Sequence, residues 1–390
     1  MNLTRLLREK RIVICCGSGG VGKTTTSAAL GLRAAALGRK TLVLTIDPAR
    51  RLADALGVPA LDHRPSRVPQ TTLRAAGPVA RGMLDAMVLD AKIALDDLVH
   101  RHAPSARARD AILANPIYRF GSRALIESPE YLAMETLNRL EAEGSWELLV
   151  VDTPPTRHAL DFFSAPRRMV EFLEGNRFLA LMTPRGKRAL RGERIVGMSI
   201  GMLLRVIARV TGSQLLDAAR EFFTAFEEMF EGFRERAARM ERLLRSDATA
   251  TVIVTSPEPQ ALAEARVLRA TFAAERIPVG ALIVNRVAVD ALPDAALRRW
   301  AGSAKPTARR LAETLALPGL TRGDRDRAEA MIENYLLYRK IAERDRAAIA
   351  GLGHLGLPPD AVHVVPELED EVVRLEGLRK FLRHLGRAGR

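Results

Sequence analysis

The sequence predicts an α/β fold, a doubly wound and mostly parallel sheet with helical insertions that form an α subdomain. Three observations carry that prediction. Short, continuous apolar runs of strand length alternate with helical stretches. A glycine-rich turn lies between the first strand and the first helix. Most later runs are continuously apolar, the mark of a strand buried on both faces of a parallel sheet.

The elements follow in order. Arg11 to Cys16 is a β-branched run and reads as the first strand. Thr24 to Leu37 is alanine-rich and helical, with Gly38 placed to stop it. Thr41 to Ile46 is the second strand, and Leu148–Val151, Thr251–Thr255, Ala281–Val284 and Val362–Val365 share its character. Gln260–Ala274 and Arg325–Ala350 are helices between the last three. Two segments break the alternation: 83–143 and 167–244 are helical in pattern and nearly free of strand signals. Both read as helical insertions in one P-loop domain spanning 1–390, the second a candidate client-binding subdomain.

Composition narrows the function. With 390 residues the chain is long enough for a large core, and 47% hydrophobic with 27% charged residues is ordinary for a globular protein. No uncharged apolar stretch reaches the ~18 residues of a membrane span; Ile195 to Val210 comes nearest and contains Arg205 and Arg209. The apolar run Ile12 to Cys16 is too short for a secretory segment, so a cytoplasmic location is expected. The two cysteines, Cys15 and Cys16, are sequence neighbours. They cannot staple a fold, and they are too few for a structural zinc or iron–sulfur site. The net charge of +14 comes mainly from arginines spread along the chain, without a dense block, so nucleic-acid binding is not expected.

The chemistry concentrates in Gly17, Ser18, Gly19, Gly20, Val21, Gly22, Lys23 and Thr24, which satisfy G-x-x-x-x-G-K-[ST], with Thr25 following in the helix. Glycines let successive amides turn toward phosphate oxygens, and the helix points its positive end at the same anion. ATP is the expected cofactor: Lys23 neutralises its β- and γ-phosphates, and the Thr24 hydroxyl ligates Mg²⁺. Asp152 closes a strand and, at the carboxyl end of a parallel sheet, can hold Mg²⁺ through water. Asp47 closes the second strand and is the candidate for orienting the attacking water. For both aspartates the alternative is a helix N-cap.

Together these residues resemble the arsenical-pump and tail-anchored-protein-targeting ATPases, a branch of the deviant Walker A class. The resemblance rests on Gly17–Thr24, on Asp47-Pro48-Ala49 with Leu52 and Asp54, on Asp152-Thr153 with Pro155-Thr156 and His158, and on Ser256-Pro257-Glu258, Asn285 and Val365-Pro366. It implies that Asp47 is the water-orienting aspartate of switch I, that Asp152–His158 is switch II, and that Asn285 and Pro366 contact adenine. It also implies a homodimer that closes with ATP at its interface. The sequence departs from the family at Ser18, where a second lysine is usual. Losing a charge-assisted contact of ~1.5–3 kcal/mol slows hydrolysis by roughly 10–100-fold unless it is replaced. Arg50, Arg51 and Arg157 stand where the family has other residues, and Arg157 is the leading candidate for the missing cation, in cis or in trans. The cysteine cluster that binds arsenite is absent, as is the zinc-binding C-x-x-C.

In the targeting branch the helical region after switch II forms a groove for a client's hydrophobic helix. Here 167–244 carries Ile195, Met198, Met202, Leu203, Val206 and Val210 at helical spacing, then Leu215, Ala219, Phe222, Phe226, Phe230 and Phe233. Such stripes suit a hydrophobic protein client, and equally the subdomain's own core. Leu375, Leu378, Leu382 and Leu385 with basic neighbours form a short amphipathic helix, able to touch a membrane surface or to dock on its own domain. Two rival readings remain: a partition- or positioning-type ATPase binding DNA or membrane, and a nucleotide-gated interaction protein with negligible turnover.

Overall fold

The computed structural model of the chain describes residues 2–47, 49–76, 82–116, 118, 129–175, 222, 229, 232–290, 322–368 and 375–385. After a short helix α1 (Leu3–Glu9) come β1 (Ile12–Gly17), α2 (Lys23–Ala36), β2 (Lys40–Thr45), α3 (Arg51–Leu56), β3 (Ser66–Arg67), α4 (Gln70–Ala76) and β4 (Met83–Val88). Helices α5 (Ala91–His102), α6 (Ala106–Ala114) and α7 (Glu130–Glu143) lead to β5 (Leu148–Asp152) and α8 (Thr156–Gly175). A helix over 232–244 is α9. It precedes β6 (Thr249–Thr255), α10 (Pro259–Ala274), β7 (Val279–Val287), α11 (Arg322–Ala350), β8 (Val362–Pro366) and α12 (Leu375–Leu385).

The strands form one sheet in the order β3-β4-β2-β5-β1-β6-β7-β8. Every pairing is parallel except that of β3 with β4 at the edge. Alternation along each strand splits the core in two, because successive side chains leave opposite faces. Ile12, Ile14, Cys16, Leu42 and Leu44 pack with Leu137, Phe162, Phe233, Leu268 and Phe272 from α7, α8, α9 and α10. Val13, Cys15, Val43 and Val150 pack with Leu6, Leu30, Leu73 and Phe381 from α1, α2, α4 and α12. The predicted double winding is what the structure has.

One boundary is corrected. The helical insertion expected at 83–143 begins with a strand, since Met83–Val88 is β4 and pairs with β2 from Lys40↔Met83 to Thr45↔Val88. Asp85 interrupts the apolar run and hides it from a periodicity count. Its carboxylate is satisfied where it lies, accepting from Trp146 Nε1 at 2.8 Å and from Arg67 Nε on β3. Helices occupy the described residues beyond, from Ala91. Most of 167–244 lies outside the described residues, including Ile195–Val210, Leu215, Ala219, Phe226 and Phe230. Of the second stripe, Phe233 is buried against Tyr131 with ring centroids 6.3 Å apart, and Phe222 lies 6.5 Å from Tyr118. Phe233 belongs to the core, and Phe222, partly buried, packs against it.

The C-terminal helix docks. Leu378, Phe381, Leu382 and Leu385 are buried on the face of the sheet that α2 covers, while Arg379 and Arg383 are exposed. Its apolar stripe is therefore spent inside the molecule. Among the described residues no helix is long and apolar enough to cross a membrane.

Candidate nucleotide site

The loop after β1 is shaped by two close approaches. A Cβ at Gly17 would stand 2.0 Å from the Val254 carbonyl oxygen of neighbouring β6, so only glycine lets the chain leave the sheet there. At Gly22, with φ +93°, a Cβ would stand 2.4 Å from Asn285 Nδ2. That amide is fixed, because Asn285 Nδ2 donates to the Val21 carbonyl at 2.8 Å. Asn285 on β7 thus braces the loop. Gly22 is also the N-cap of α2 and offers no side-chain acceptor, which leaves first-turn amides free for an anion.

Lys23 opens α2, and its Nζ donates to the Ser18 carbonyl at 2.7 Å across the loop. Burial pulls its pKa down, opposed first by the charge of Asp152. Asp152 ends β5 between the ends of β1 and β2, in register with Cys15 and Thr45. Its Oδ2 accepts from Thr24 Oγ1 at 2.7 Å and from Thr45 Oγ1 at 3.0 Å, and its Oδ1 from Ser27 Oγ at 3.4 Å. Burial raises its pKa to about 6 even so, against the hydrogen bonds from Thr24 and Thr45 and the charge of Lys23. A buried carboxylate sharing a contact with one hydroxyl is a hard-oxygen pair, which fits Mg²⁺ completed by water and phosphate oxygens. Asp152 lies in β5, four residues before α8 begins.

Asp47 follows β2. Its Oδ1 accepts from the Ala49 amide at 3.0 Å, and its Oδ2 stands 3.9 Å from Arg51 Nη1. The N-cap of α3 is Arg50, without a side-chain bond, so Asp47 is not that cap either.

These groups meet in one cleft of about 780 Å³, lined by Gly19, Gly20, Gly22, Lys23, Thr24, Thr25, Asp47, Asp152, Asn285 and Pro366 among others. Gly17, Ser18 and Val21 shape the loop without lining the cleft. Arg50 turns away, its guanidinium donating to the Pro59 carbonyl. Arg51 lines the cleft. The Arg157 side chain is outside the described residues. Arg286, Glu367, Thr45 and Ser27 went unnoticed in the sequence. Arg286 sits beside Asn285 with φ +60° where the β7–β8 register shifts. Its signal would have been that neighbour. The two hydroxyls become visible only with the strand order.

Comparison with known proteins agrees with this geometry. The sequence profile of the family described as anion-transporting ATPase matches residues 10–314. A protein described as arsenical pump-driving ATPase 1, from Aquifex aeolicus, is 28% identical over 283 residues, 71% of this chain and 63% of that protein. ATPase GET3B of Arabidopsis thaliana is 27% identical over 313 residues, covering 72% of this chain and 64% of its own length. Protein Rv2184c of Mycobacterium tuberculosis is 27% identical over 314 residues, covering 75% and 64%. The chain spans less than two thirds of each of these relatives. With a profile that runs over most of its length and a glycine-rich loop, a buried aspartate and an asparagine of β7 gathered on one cleft, the chain belongs to the anion-transporting ATPase family.

Proposed function

We propose that this chain is a Mg²⁺-dependent ATPase that couples ATP binding and hydrolysis to a conformational change of a homodimer handling a hydrophobic protein segment. The observation that supports the reading best is the convergence of Lys23, the free α2 amides, and the Thr24–Asp152 pair on one cleft. In this reading the amides of Gly19–Thr25 and the Lys23 ammonium bind the β- and γ-phosphates. Thr24 and Asp152 hold Mg²⁺, which when bound offsets charge on the phosphate oxygens. Asp47, with one carboxylate oxygen tied to the Ala49 amide, offers the other to a water. Asn285 and Pro366 receive the base. Arg157, in the first turn of α8, remains the switch II candidate for a further cation.

The relatives' names mention arsenical pumping, and arsenite asks for accessible soft ligands. Cys15 and Cys16 are fully buried on opposite faces of the sheet, and burial pushes the Cys16 thiol up to about 12. That disfavours a metalloid as the client. The segment 167–244, which follows directly from switch II, is the proposed client-handling subdomain.

The test is phosphate release by the purified chain with Mg-ATP. Hydrolysis is expected, reduced at least tenfold in Lys23→Ala and in Asp47→Asn, with Asp47→Asn still binding nucleotide. Turnover at background with intact binding would instead select a nucleotide-gated interaction protein. For the client, a hydrophobic dye should bind differently in ADP and non-hydrolysable ATP-analogue states, and equal binding would count against the coupling.

A further inference from the structure

We propose that Arg51 is a catalytic residue of this site, the cation that meets the terminal phosphate of the bound nucleotide. The inference rests on the ATPase reading above. Arg51 opens α3, four residues after Asp47, and lines the same cleft as Lys23, Thr24 and Asp152. Its side chain is 70% exposed, and its ion-pair partner among the described residues is Asp47 at 3.9 Å, the outer limit of such a contact. A guanidinium held so loosely is not a structural clamp.

The charge of the cleft gives it a task. Asp47, Asp54, Asp152 and Glu367 line it, against Lys23, Arg51 and Arg286. On its own the cleft is therefore negative, and it must receive a polyanion. Lys23 opens α2 and Arg286 sits beside Asn285, so among the described residues Arg51 is the cation on the Asp47 side, where the terminal phosphate and the attacking water come together. Arginine presents a planar fork of N–H donors matched to phosphoryl oxygens. In the reaction, water adds to the terminal phosphorus while the bond to the bridging oxygen breaks. The diphosphate keeps the bonding pair, and of the water's two protons one stays on the released phosphate and one passes to solvent. Arg51 makes and breaks no bond. It donates N–H groups to the terminal phosphoryl oxygens and, in doing so, leaves Asp47 free to hold the water. Ser18 is buried in the loop and supplies no charge there.

Steady-state hydrolysis and ADP binding by calorimetry, run on the whole chain, test this. Arg51→Ala is expected to lower kcat by about 10–100-fold, the scale of one charge-assisted contact, with ADP affinity within twofold of wild type. Arg51→Lys should recover part of the loss. Arg50→Ala, on the outer side of the turn, should leave kcat unchanged. Since Arg51 is exposed, its replacement should not disturb folding, which the thermal midpoint checks. Wild-type turnover with an unaffected Arg51→Ala overturns this inference alone, and so does an ADP affinity that falls as far as kcat. A wild-type chain that binds nucleotide without turnover overturns the ATPase reading and this one together.

Discussion

Asn285 and Gly22 form a pair whose coupling can be worked out in advance. Asn285→Ala removes the donor from the Val21 carbonyl, a 2.8 Å bond in a residue only 7% exposed. Leaving a buried acceptor unpaired costs about 1–3 kcal/mol, and the lower half applies because the cleft lets water approach. Gly22→Ala carries two costs. The left-handed φ of +93° costs a residue with a Cβ about 1–2 kcal/mol. The new Cβ, 2.4 Å from Asn285 Nδ2, also drives that amide off Val21 and so forfeits the same hydrogen bond. In the double variant the clash has no partner, and the bond is lost once instead of twice. The double variant should therefore be about 1–2 kcal/mol more stable than the sum of the single effects predicts. Urea unfolding of the four nucleotide-free proteins, followed by circular dichroism, measures this. Additivity within about 0.5 kcal/mol would refute the claim that Asn285 braces the loop through Val21.

Three further outcomes follow from the packing. Asp85→Ala leaves Trp146 Nε1 without its acceptor and should cost about 1–3 kcal/mol with a shift in tryptophan emission, whereas Asp85→Asn should keep most of the stability. His102 has its pKa pushed down to about 4 by burial, with Arg236 and Arg101 adding to the effect. The folded state then binds fewer protons than the unfolded chain between about 4 and the ordinary 6.5, so stability present at pH 7 is lost as pH falls through that window; His102→Gln should flatten the decline in urea midpoint between pH 7 and pH 5. Leu378→Ala, on the buried face of α12, should cost about 2–5 kcal/mol in the same unfolding assay, while exposed Arg379→Ala should stay within about 0.5 kcal/mol.

What could be read from the sequence divides along the line between local and non-local physics. The glycine-rich loop was legible because its constraints are local: glycines where backbones crowd, a lysine and a threonine at a helix start. The buried strands β1, β2 and β5 to β8 were legible because each carries a short run dominated by β-branched and aliphatic residues. β4 was not, since Asp85 sits mid-strand and its cost is offset by Trp146 and Arg67, residues far away in sequence. β3 was not, because two residues carry no period. The same division runs through the site. Asp152 stood out at a strand end, but the Thr45 hydroxyl that shares its Oδ2 with Thr24 becomes its neighbour only through the order β2-β5-β1. Arg50 and Arg51 look interchangeable as letters. The turn into α3 separates them, sending one to the Pro59 carbonyl and the other to the cleft. Which arginine reaches the cleft is thus set less by the residue type that follows Asp47 than by where the next helix begins.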